Sequence, residues 1–135
     1  MYLKFLSVIA LGIFLTCATS SLRAEEVVIE LTVNECSVSL SMPNGNSCDQ
    51  NQCGADNTCI CAGKGDHIKW KINNDDKFKL KFLSDSPLKD NCGKNYKADK
   101  HKCVVKDSTT RGESFTYDIK LERCSDGTDP KIVIK

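Results

Sequence analysis

Cysteine constrains this chain more than any other feature. Nine cysteines occur in 135 residues. Cys17 falls in an apolar leader, and eight remain beyond it: Cys36, Cys48, Cys53, Cys59, Cys61, Cys92, Cys103 and Cys124. An even set in a small exported domain reads as a disulfide framework. Eight cysteines allow about a hundred connectivities, and sequence narrows them only in part. Cys59 and Cys61 flank one residue; on a strand both face the same side. A ring that short is strained, so each is expected to take a different partner. The group Cys48, Cys53, Cys59 and Cys61 reads as self-contained. Cys92 and Cys103 bracket a polar loop and would close it, leaving Cys36 with Cys124. The competing reading of the crowded four is a thiolate metal site. Their spacing, C-x4-C-x5-C-x-C, departs from the paired C-x-x-C pattern of zinc sites.

The leader itself is expected over residues 1–24. Lys4 precedes an apolar run from Phe5 to Leu15, and small residues follow from Thr16 to Ser21. That order describes a secretory signal peptide. The run is shorter than the ~20 apolar residues of a membrane span. Cleavage after Ser20 or after Ala24 fits, with Ala24 preferred. The expected mature domain is 25–135, exported to the periplasm or secreted, with no stable membrane anchor.

Residues 25–135 carry 17 basic and 18 acidic side chains, a net charge of −1. This argues against a dedicated nucleic-acid binder. The charge is uneven. Residues 25–63 hold six acids and no Lys or Arg, whereas 64–135 hold 17 basic and 12 acidic residues. Two solvated faces explain this simply; a lysine-rich surface meeting an anionic partner is the sharper reading.

Apolar and polar residues alternate with period two through much of the domain, the signature of strands. Val27, Ile29, Leu31 and Val33 share one face, and Val38, Leu40 and Met42 share another. The break at Asn34-Glu35 predicts a bulge or bend. Residues 43–62 read as a cysteine-rich insert whose turn-rich part, Pro43 to Asn57, is a loop. Ile68, Trp70 and Ile72 alternate with His67, Lys69 and Lys71, and Phe78, Leu80 and Phe82 with Lys77, Lys79 and Lys81. These two runs predict a hairpin or a sheet-to-sheet connection. A short strand around 103–105, a run from Phe115 to Leu121 and a final Ile132-Val-Ile134 complete about seven strands. The fold class is all-β, a sandwich or small barrel.

The order Gly65-Asp66-x-Ile68-x-Trp70, Asn73-Asn74, Phe115-x-Tyr117-x-Ile119 and Asp129-Pro130-Lys131-Ile132 resembles the cupredoxin-like superfamily. The resemblance covers 60–135 well and 25–42 loosely. It implies a Greek-key β-sandwich with Trp70 in the core. Blue-copper members bind copper through two His, one Cys and usually a Met. After the Asn-rich corner this chain reads Asp75-Asp-Lys-Phe-Lys-Leu80, without His. After the Tyr-containing strand it reads Cys124-Ser-Asp-Gly-Thr-Asp-Pro130, with Cys but neither His nor Met. The resemblance therefore implies the fold without the electron transfer.

No phosphate loop, paired zinc-ligand His or nucleophile elbow occurs. His67 lies on a lysine face, and His101, between Lys100 and Lys102, reads as solvated. The expected function is a non-enzymatic, exported binding or interaction module that needs no cofactor. Its candidate surface is the loop 92–103, with Tyr96, Lys97, Lys100, His101 and Lys102, and the adjoining lysine face. The partner is an unknown protein or an anionic ligand. Two alternatives stand beside it: a copper or other metal-binding protein using Met42, His67, His101 or the crowded thiols, and a secreted enzyme inhibitor.

Overall fold

The computed structural model of the protein describes residues 23–46, 48, 52–125 and 127–135. The expected leader lies outside the described residues, apart from Arg23 and Ala24. No helix among the described residues is long and apolar enough to cross a membrane.

The described residues form an all-β fold in two mixed sheets. The first contains β1 (Glu26–Asn34), β2 (Ser37–Ser41), β4 (His67–Ile72) and β6 (Lys100–Val104), in the order β2-β1-β4-β6. The second contains β3 (Cys59–Ala62), β5 (Phe78–Phe82), β7 (Ser114–Leu121) and β9 (Lys131–Ile134), in the order β3-β9-β7-β5. The short β8 (Gly127–Thr128) pairs with β7. One parallel pairing sits in each sheet, β1 with β4 and β3 with β9.

Period-two patterning fixes the inward faces. Val27, Ile29 and Leu31 of β1 and Ile68 and Trp70 of β4 bury against Ile60, Phe78, Leu80, Tyr117, Ile119, Leu121, Ile132 and Ile134 of the second sheet. Trp70 and Tyr117 are both fully buried and meet edge to face. The indole Nε1–H donates to the Tyr117 hydroxyl at 3.0 Å, so a polar pair bridges the sheets without an unpaired atom. Burial raises the Tyr117 pKa well above its ordinary value.

The Gly65-Asp66 opening of β4 has a local cause. Gly65 takes φ +78°, a left-handed conformation that glycine adopts without a Cβ clash. The Asp66 carboxylate then accepts the backbone N–H groups of Gly63, at 2.6 Å, and Glu25, at 2.9 Å. It ties the turn before β4 to the start of β1.

Four bridges join Cys36–Cys124, Cys48–Cys61, Cys53–Cys59 and Cys92–Cys103. The expected grouping of the cysteines holds in each case. Such a set belongs in an oxidising environment. Beside Cys36–Cys124, the Arg123 guanidinium holds the Asp76 carboxylate at 2.6 and 2.9 Å and also donates to the Glu35 carbonyl. That fork depresses the Asp76 pKa, chiefly by hydrogen bonding.

Two open alternatives resolve, and two expectations need correction. The break at Asn34-Glu35 is a bend rather than a bulge: β1 and β2 form an antiparallel hairpin with Glu35 and Cys36 between Asn34 and Ser37, and Glu35 supplies φ 55°. The 68–72 and 78–82 runs are a sheet-to-sheet connection rather than a hairpin. The insert ends earlier than 62, because Cys59–Ala62 is an edge strand of the second sheet with Ile60 and Ala62 in the core. The short strand placed at 103–105 begins at Lys100, so the polar loop is shorter than its cysteines imply.

Candidate surface and sulfur sites

The loop closed by Cys92–Cys103 runs along the β5 edge of the second sheet. Phe78 and Lys97 exchange backbone hydrogen bonds at 2.9 Å in each direction, and Leu80 N–H donates to the Gly93 carbonyl at 2.8 Å. The loop thus covers part of the outer edge of β5, where an unpaired strand would invite association. Gly93 makes this approach possible. It has φ +85°, and a Cβ there would lie 2.6 Å from Leu80 Cδ1. A groove of about 540 Å³ beside the same edge is lined by Lys79, Lys81, Phe82, Asp85 and Lys94 among others.

The structure divides the predicted binding residues. Tyr96 is exposed, and the Lys79 ammonium sits 4.6 Å from its ring centroid, a cation–π contact on the side of the second sheet. The Lys97 side chain is exposed on the same loop. Lys100 and Lys102 instead point outward from β6, on the outer face of the first sheet. His101 lies between them and points inward. It is 7% exposed, so the expectation of a solvated histidine is wrong. Its Nε2 lies 3.0 Å from the Phe78 carbonyl, and its ring packs edge to face on Phe78. A carbonyl only accepts, so Nε2 carries a hydrogen. Burial lowers the His101 pKa. The Phe78 hydrogen bond opposes this, Lys97 adds to it and Asp99 opposes it. The alternation Lys-His-Lys-Cys was the available signal, hidden by the polarity of the stretch.

On the outer face of the first sheet, register brings lysines together. Lys69 of β4 stands opposite Lys102 of β6, and Lys71 stands opposite Lys100. His67 shares the β4 row. Beyond β4, Glu26 stands opposite His67 and Glu30 opposite Lys71. Among the described residues, Lys102 alone of these four lysines has an ion pair, to Glu26 at 3.0 Å. That contact lowers the Glu26 pKa, with smaller help from Lys69 and His67. Among the described residues, no carboxylate lies within ion-pair distance of Lys69, Lys71 or Lys100. Sequence had placed Lys69 and Lys71 outward; their pairing across strands needed the register.

The residues of the metal alternative do not converge. His67 and His101 face opposite sides of the first sheet, and Met42 follows β2 at the edge farthest from β6. The one cluster of metal-type ligands among the described residues is Cys48, Cys53 and Cys61, whose sulfurs lie within 4.8 Å of one another and are bonded in disulfides. No protein-family model matches the chain, and no curated protein matches it.

Proposed function

We propose that this protein is an exported, disulfide-stabilised, non-catalytic binding module that docks an anionic partner on the outer face of its first sheet. The observation that carries this reading is the register that sets like charges opposite one another on the outer face, Lys69 with Lys102 and Lys71 with Lys100. Like charges directly opposite one another destabilise a sheet. Edge protection accounts for Lys100 and Lys102, because β6 is an edge strand. It does not account for Lys69 and Lys71, because β4 is an interior strand. Glu26 beside Lys102 and Glu30 opposite Lys71 offset part of the repulsion, and an anion on this face would relieve the rest and give those positions a role.

The frame fits a cupredoxin-like Greek-key sandwich. Supporting this are the Gly65-Asp66 turn, the Trp70–Tyr117 pair across the core and one parallel pairing in each sheet. Four disulfides and the apolar leader support export.

The test uses the mature protein and a sulfated polysaccharide as a model polyanion. Retention should fall steeply as salt rises. Changing Lys69, Lys71, Lys100 and Lys102 together to Gln should abolish it, while changing Lys79, Lys81 and Lys97 to Gln should leave most of it. Equal loss from both sets would make the binding a matter of total charge and would overturn the assignment.

A further inference from the structure

The two bridges of the insert are in contact with each other. Cys53 Sγ lies 3.4 Å from Cys48 Sγ and 3.3 Å from Cys61 Sγ, although it is bonded to Cys59. Cys59 and Cys61 are anchored by the pairing of β3 with β9. Both lie on β3 and point away from the core, onto Val133 of β9, and both are almost fully buried. The Asn46 side chain fixes the approach of the insert. It donates to the Cys59 carbonyl at 2.8 Å and accepts from the Cys61 N–H at 3.0 Å. The other two bridges show no such contact between disulfides among the described residues.

This geometry is close to that of a thiolate metal centre. Zinc–sulfur bonds are about 2.3 Å, so neighbouring sulfurs of a tetrahedral site lie about 3.8 Å apart. The non-bonded separations around Cys53 are already near that value. Opening the two disulfides lengthens the bonded edges toward the same distance. The C-x4-C-x5-C-x-C spacing does not announce such a site. Folding creates it, because β3 supplies two cysteines on one face and the insert lays two more over them.

We propose that the Cys48, Cys53, Cys59 and Cys61 cluster is a redox-masked tetrathiolate site for a zinc-type divalent cation. In the oxidised protein the four sulfurs form two disulfides and bind no ion. Two equivalents of a small dithiol reduce them, giving four protein thiols and two cyclic disulfides. The cation then binds four thiolates and releases four protons. Cys48, Cys53 and Cys61, whose sulfurs all lie within 4.8 Å of one another, form the preassembled part; Cys59, held beside them by its bond to Cys53, would swing in as the fourth ligand once that bond opens.

The experiment reduces the mature protein anaerobically with dithiothreitol, removes the reagent and adds Co²⁺ as an optical probe for zinc. One equivalent should bind, with the visible bands of a tetrahedral ion and intense sulfur-to-cobalt charge transfer, and Zn²⁺ should displace it. Oxidised protein should give no such bands. A variant with Cys36, Cys92, Cys103 and Cys124 changed to Ser should keep the spectrum. One with Cys48, Cys53, Cys59 and Cys61 changed to Ser should lose it. Because loose thiols also bind metal, the titration is repeated on reduced protein in strong urea, where the affinity should drop by more than about tenfold. Equal affinity in urea, or a charge-transfer spectrum that survives loss of the crowded four, would overturn the proposal.

Discussion

The disulfides divide into two regions that use the same bond for different ends. Cys36–Cys124 spans 88 residues and locks the β1–β2 hairpin to the chain after β7. Cys92–Cys103 spans 11 and holds the loop that covers β5. Both sit on a frame with a continuous apolar core. The insert bridges span 13 and 6 residues and rest on a separate small cluster made of their own sulfurs and Val133. The frame has hydrophobic burial to hold it and uses bridges to restrict its unfolded chain. The insert has almost no apolar surface of its own, so its bridges define its shape.

Removing Cys36–Cys124 gives the sharpest test of that contrast. Changing both residues to Ala should destabilise the protein by about 4–5 kcal/mol, because the bridge closes its longest loop. The loss should appear in a single cooperative denaturant transition. Unfolding of only the β1–β2 hairpin would mean that the frame is not one cooperative unit.

Gly93→Ala probes the frame from the loop that covers its edge. The added Cβ meets Leu80 and must adopt φ +85°. A cost of about 3 kcal/mol is expected from strain and overpacking together. Hydrogen exchange at Leu80 and Phe78 should accelerate more than at β1. An unchanged melting temperature would show that the loop lies less tightly on β5 than the contact implies.

Cys53 and Cys59 changed together to Ala should cost about 2 kcal/mol, the value for a short loop. Proteolysis should begin within the insert while the frame stays protected. Equal exposure of both regions would erase the distinction between them.

The frame was largely legible in the sequence, because period-two alternation survives wherever one strand face is buried. Val27-x-Ile29-x-Leu31 and Ile68-x-Trp70 reach the core as expected. Legibility failed where polarity and burial disagree. His101 is buried within Lys-His-Lys, and Cys59 to Ala62 is buried on both faces, so neither shows an apolar–polar rhythm. The candidate surface was half legible. Alternation puts lysines outward, but only pairing across sequence separations of about 30 residues sets Lys69 against Lys102. The sulfur contacts between the two insert bridges depend on loop closure, which spacing does not encode.

The smallest expected effect concerns His101 and distinguishes the regions by pH. Its folded pKa lies below the ordinary 6.5, chiefly because burial disfavours the imidazolium. The unfolded chain therefore takes up a proton there more readily than the folded chain. Stability should fall as pH drops through about 6.5 and level off below the folded pKa, where both states are protonated. Phe78 and Lys97 are the contacts at stake, so the weakened element is the frame loop rather than the insert. Melting curves between pH 7.5 and 5 should show this slope in the parent. His101→Gln, which keeps a donor for the Phe78 carbonyl and cannot take a proton, should flatten it. An identical slope in both proteins would assign the pH dependence elsewhere and leave the buried histidine without a part in it.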